Sequence, residues 1–222
     1  MIEYFQHIRL KFIQKEDGAS LMEFAVVTAL MAVLAATAAP KFSDISENAK
    51  VRKSRTEIEK IAKQALNFYQ DTAVKEGRGR FPGQTKYNQK VGGHLSESDL
   101  NDDLFGGSET ATDENGNSVT LPTSATFTRF DGADGAHWVS IFGSEAIKSP
   151  TLSDISLNSN YPQVPSVWQT LFGDEILFSP FQDGHYVYQV LPGYGVGSQA
   201  EAPTLFIADL ENPSQIHLVV KP

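Results

Sequence analysis

The sequence predicts an α+β protein: a long N-terminal membrane-spanning helical stem, with a C-terminal antiparallel β-sheet head packed on the stem's second half. Three observations carry this expectation. From Ala19 to Pro40 the residues are uncharged and mostly apolar, apart from Glu23. Farther on, Ile58, Ile61, Ala62, Ala65, Leu66 and Tyr69 recur at helical spacing. From Val119 onward, short strand-like runs follow one another to the end of the chain. Strands after a single long helix make an α+β head, with the sheet laid on the helix.

The apolar run comes first. As a helix, Ala19 to Ala39 spans about 31 Å, close to the roughly 30 Å hydrocarbon core of a bilayer. Small residues dominate it (Ala25, Ala29, Ala32, Ala35, Ala36, Ala38, Ala39), and small side chains let helices approach closely in lipid. Pro40 lacks a backbone donor and is expected to kink or locally melt the helix. Glu23 is the anomaly. Translocon scales charge roughly 2.5–3.5 kcal/mol for an acid at the centre of a membrane helix, so an acid here calls for a function and a partner. Cleavage after Gly18 would supply one, because Ala19 would gain a free amine four residues from Glu23.

The stretch Gly18-Ala-Ser-Leu-Met-Glu-Phe, continuing to Pro40, resembles the start of a type IV pilin or type II secretion pseudopilin. In that family a prepilin peptidase cuts after a glycine and N-methylates the new terminus. Glutamate stands fifth in the mature chain and proline usually twenty-second; with Ala19 first, Glu23 and Pro40 fall on those places. The resemblance covers roughly residues 9 to 70. It implies a leader at 1–18, a transmembrane assembly helix at 19–42, an amphipathic half of the stem at 43–75 and a globular β-rich head at 76–222. Arg9, Lys11 and Lys15 supply the cytoplasmic positive charge that orients such a segment. Two other readings compete. A secretory signal would be cut at the small residues Ala35 to Ala39, and a plain anchor would stay uncut. Neither gives Glu23 a role.

Composition narrows the function classes. The 222 residues carry a net charge of −9 and no cysteine. The acidity argues against nucleic-acid binding, which needs basic patches to neutralise phosphate. Without cysteine, the head cannot use the disulfides common in exported domains. It must rely on its core, on neighbours or on a metal; calcium is what the resemblance to major pseudopilins implies.

The remaining elements read in order. Ser43 to about Lys75 forms the amphipathic helical half, with Lys53, Arg55, Glu57, Glu59, Lys60 and Lys63 placed on its outer side. The Lys50, Arg52, Lys53, Arg55 cluster reads as a solvated or subunit-contacting face, near enough to the membrane to meet anionic headgroups. Gly77 to Gly79 and Phe81-Pro82-Gly83 end the helix. Val91 to Asn117 is loop with a short helix near Ser98 to Leu104. Val119, Leu121, Ala125 and Phe127 alternate with polar residues as a half-buried strand. Further strands are expected at His137 to Phe142, Glu175 to Phe178, His185 to Leu191, Thr204 to Ala208 and Ile216 to Val220, with a short helix at Pro165 to Leu171.

No catalytic constellation is visible. His7, His94, His137, His185 and His217 show no zinc spacing. No nucleophile elbow or Walker loop occurs. Gly193-Tyr194-Gly195-Val196-Gly197 lacks the strand–turn–helix setting of a dinucleotide site. Two acidic turns have oxygens suited to calcium, Asp113, Asn115 and Asn117 in one, Asp131 and Asp134 in the other. A plain turn is the preferred reading of both, and Asn-Gly is itself a hairpin signal.

The expected function is therefore that of the family resembled: a non-enzymatic structural subunit of a type IV filament. Its partners would be other pilins in a homo- or hetero-polymer, prepilin peptidase and the inner-membrane assembly machinery, with no nucleic acid. Its place would be the cytoplasmic membrane, single-pass with the head outside, then a periplasmic pseudopilus or extracellular pilus. The alternatives are a membrane-anchored periplasmic binding protein or enzyme, and a tip-located pilin whose head binds a surface.

Overall fold

A computed structural model describes residues 17–106, 108–112, 116, 118–122, 137–143, 161–181 and 186–222. The chain divides into two units, Met1–Ala49 and Lys50–Pro222. Helix α1, Asp17–Glu76, contributes to both and is 60 residues long. Helical residues continue on both sides of Pro40 without an unwound turn. Proline costs one i→i−4 bond, and the alanine-rich run before it favours helix strongly enough to absorb that loss.

The second unit is built on α1 from Lys50 onward. Helix α2 is Glu97–Phe105, hairpin strands β1 and β2 are Ser108–Thr112 and Ser118–Pro122, and β3 is Val139–Ser140. Helix α3 is Val164–Leu171, and strands β4, β5 and β6 are Tyr186–Leu191, Thr204–Asp209 and His217–Val220. Strands β3-β4-β5-β6 form one antiparallel sheet in that order. Tyr186 pairs with Asp209 and Leu191 with Thr204, while Leu205 pairs with Val220. Val91 adds a further rung on Val190, with N–H to O distances of 3.0 and 2.8 Å.

Both faces of this sheet are covered. Because side chains alternate along a strand, Tyr186, Tyr188, Val190, Leu205 and Ile207 pack with Ile58, Ile61, Ala62 and Ala65 of α1. Val187, Leu191, Phe206 and Ala208 instead pack with Leu100 and Leu104 of α2 and with Trp138. That double burial explains why β4 is buried along its whole length. Local chemistry fixes the short helices. The Ser96 hydroxyl accepts from the Asp99 N–H at 3.1 Å, with Glu97 and Asp99 in the first turn of α2. Pro165 lies at the start of α3, where its missing donor is harmless.

Gly83 marks the tightest approach. Its φ is +87°, and a Cβ there would lie 2.3 Å from the Tyr188 hydroxyl and 3.0 Å from Val164 Cγ2. That hydroxyl donates to Pro82 O at 3.0 Å. Gly83→Ala is expected to cost about 1–3 kcal/mol through strain and overpacking. Thermal unfolding of the detergent-solubilised chain measures it; an unchanged midpoint would contradict the packing described.

Several expectations are corrected. Glu175 to Phe178 is not a strand: it pairs with no strand among the described residues, and only Leu177 of the four is buried. His137 is exposed, and the run to Phe142 shortens to β3 before bending, with Phe142 turned edge-on to Phe172 at 5.6 Å. Strand β1 falls in the expected loop; its polar Ser-Glu-Thr-Ala-Thr pairs with β2 all the same. Glu57, expected on the outer side of α1, is instead buried against the sheet. The helices near Ser98 and Pro165, and the strands ending at Leu191, Ala208 and Val220, agree with expectation to within two residues. Ala125 and Phe127 lie outside the described residues.

Candidate functional site

In the first unit, the feature with chemical consequence is the exposed apolar part of α1. It is long and apolar enough to cross a membrane, with a mean hydropathy of 2.0 over eighteen residues, none buried. Leu21, Met22 and Phe24 are each about 70% exposed, as their neighbours Leu30, Met31, Val33 and Leu34 largely are. Between positions 21 and 39 the only polar side chains are Glu23, Thr28 and Thr37. Both threonines satisfy themselves within the helix. Thr28 Oγ1 donates to the carbonyls of Phe24 (2.9 Å) and Ala25 (3.0 Å), and Thr37 Oγ1 to those of Val33 (3.1 Å) and Leu34 (3.0 Å).

Glu23 has no such refuge. Its side chain is exposed, and no cation pairs with it among the described residues. Gly18 and Ala19 belong to the first turns of α1. The helical rise places residue 19 about 6 Å along the axis from residue 23. An amine at Ala19 would therefore stand one turn from the carboxylate, able to meet it directly or across a helix–helix contact. Pro40 lies within α1, 17 positions after Glu23.

In the second unit, sequence reasoning missed a buried polar cluster between α1 and the sheet. Ser54, Asp209 and Ser179 are fully buried. Ser54 Oγ donates to Asp209 Oδ2 at 2.5 Å, and Ser179 Oγ donates to the same oxygen at 2.8 Å. The Glu211 N–H donates to Asp209 Oδ1 at 3.1 Å. The Tyr186 hydroxyl lies 3.2 Å from Ser54 Oγ and donates to Glu57 Oε2. Lys53 Nζ is 3.6 Å from Glu57 Oε1. Burial holds the Asp209 carboxyl above its ordinary value of 3.8, against the Ser54, Ser179 and backbone bonds that pull it down. Burial, then the bond to Glu57, raises the Tyr186 phenol beyond its usual range, so it stays a neutral donor. One spacing in the sequence is compatible with this placement: Ser54 and Glu57 lie four residues before Ile58 and Ile61, on the side of the helix that carries the apolar stripe.

The remaining candidates fall apart. Asp113, Asn115, Asn117, Asp131 and Asp134 lie outside the described residues, as do His7 and His185. Among the described residues no group of three or more His, Asp or Glu side chains could hold a metal ion. His94 Nε2 is 2.6 Å from Asp103 Oδ2 and stacks on His137 at 4.6 Å. His217 Nδ1 is 2.8 Å from Pro213 O, with Phe105 edge-on to its ring. These contacts tie loops and strands together. No protein-family model, curated protein or solved structure matches the chain.

Proposed function

We propose that this chain is a structural subunit of a type IV filament, a pilin or a type II secretion pseudopilin. The precursor sits in the cytoplasmic membrane, crossing it once with the head outside. Prepilin peptidase cuts after Gly18 and methylates Ala19. The inner-membrane machinery then moves the apolar half of α1 from lipid into a bundle of like helices, forming a periplasmic pseudopilus or an extracellular pilus. The role is mechanical, and no reaction is assigned to the head.

One observation carries this reading. Between positions 21 and 39 of α1, Glu23 is the sole polar side chain without a hydrogen bond inside the helix, and it stands fifth after a Gly18–Ala19 junction with Pro40 in register. A carboxylate in lipid is penalised until it meets an ammonium, and cleavage at Gly18 would create one. The exposed small and apolar side chains from Ala25 to Ala39 suit close packing of helices. Mass spectrometry of the mature N-terminus tests the proposal. A methylated Ala19 is expected. A chain starting just after Ala35 to Ala39, or one still beginning at Met1, would refute it.

A further inference from the structure

We propose that the Ser54–Asp209–Ser179 cluster, flanked by Tyr186 and Glu57, is a pH-sensitive latch between α1 and the sheet. It grips more firmly as the medium passes from neutral to mildly acidic. Asp209 lies at the end of β5, on the face turned to the helix, and is wholly buried. Among the described residues, the groups bonded to it are neutral: the Ser54 and Ser179 hydroxyls and the Glu211 and Asn212 N–H groups. Among the described residues, the charged and titratable groups facing the cluster come from three elements. Helix α1 brings Glu57 and Lys53, β4 brings Tyr186, and the β5–β6 turn brings Glu211 through its main chain. Of the described residues before β4, Ser179 contributes its hydroxyl.

Among the described residues, Lys53 is the one cation in this set, and it serves Glu57 rather than Asp209. Its side chain is 58% exposed, so solvent screens it. Two carboxylates thus share three hydroxyls with little compensating positive charge. An ionised Asp209 is stripped of water there, and hydrogen bonds alone offset the loss only in part. Protonation removes that penalty. The new O–H can donate to Ser54, whose own hydroxyl can turn to Tyr186, because either atom of that 3.2 Å contact can be the donor.

The sign follows from linkage. The folded carboxyl binds its proton more tightly than the unfolded one, whose ordinary value is 3.8. The stabilisation is complete below that unfolded value. It is lost as pH rises through the folded one.

Thermal unfolding of the full-length chain in detergent, between about pH 4 and about pH 7.5, tests the latch. Over this interval the wild-type midpoint should fall by roughly 2–4 °C more than that of Asp209→Asn. Ser179→Ala removes a donor that favours the carboxylate, so its fall should move to higher pH. Equal pH dependence in wild type and Asp209→Asn would overturn the proposal. A carbon-13 titration of the Asp209 carboxyl gives the same answer without relying on that variant, since the signal is also identified by its displacement in Ser179→Ala. A midpoint above the ordinary aspartate range supports the latch, and one at or below it overturns it.

Discussion

Glu23→Ala should leave the chain inserted in the membrane and nearly abolish its entry into filaments. Insertion is unharmed because the substitution makes the run from Leu21 to Ala39 more apolar. Assembly suffers because the Ala19 amine, moved into the helical bundle, would find no carboxylate. Removing one partner of a buried ion pair costs about 3–5 kcal/mol, which is on the order of a hundred- to several thousandfold in each subunit's affinity for the growing end. Glu23→Gln separates charge from shape: it keeps the size and a hydrogen-bonding amide, and should fail almost as badly. Immunoblots of sheared filaments against the membrane fraction read both variants. Normal filament yield from either, with Ala19 still methylated, would rule out the pairing.

This expectation rests on residues that were legible in the sequence, since everything in the apolar run is local. Helical length, small residues and a lone acid are properties of consecutive positions. The face of α1 that meets the sheet was also legible: Ile58, Ile61, Ala62 and Ala65 are buried as their spacing requires. Glu57 shows where that logic stopped. A charged residue beside an apolar stripe defaults to solvent, and its burial depends on Tyr186, 129 positions away. Asp209 likewise resembles a turn residue until Ser54, 155 positions earlier, is placed against it. Strand β1 escaped because a polar five-residue run has no apolar alternation, and only pairing with β2 makes it a strand. Glu175 to Phe178 erred the other way: its composition suits a strand, but composition alone does not supply a neighbour to pair with.

Trp168→Ala should be the most damaging single truncation in the second unit. Trp168 sits in the middle of α3, fully buried, and meets the Tyr188 ring edge-on at 5.4 Å. Its cluster joins α1 through Ile61 and Ala65 to the sheet through Tyr188 and Val190. Tyr188 is held in turn by its bond to Pro82 O, and burial keeps its phenol protonated. Removing the indole leaves a cavity that these anchored neighbours cannot close, so the loss belongs at the upper end for core truncations, about 3–5 kcal/mol. Against a typical total of about 5–15 kcal/mol, that lowers the melting temperature by roughly 10 °C. The contrast with Glu23→Ala separates folding from assembly. Trp168→Ala should reduce the amount of chain in the membrane and filament fractions together, whereas Glu23→Ala should leave the melting curve untouched and change only the partition between them. A Trp168→Ala chain that melts within about 2 °C of wild type would mean that α3 is not part of the core that holds the sheet on α1.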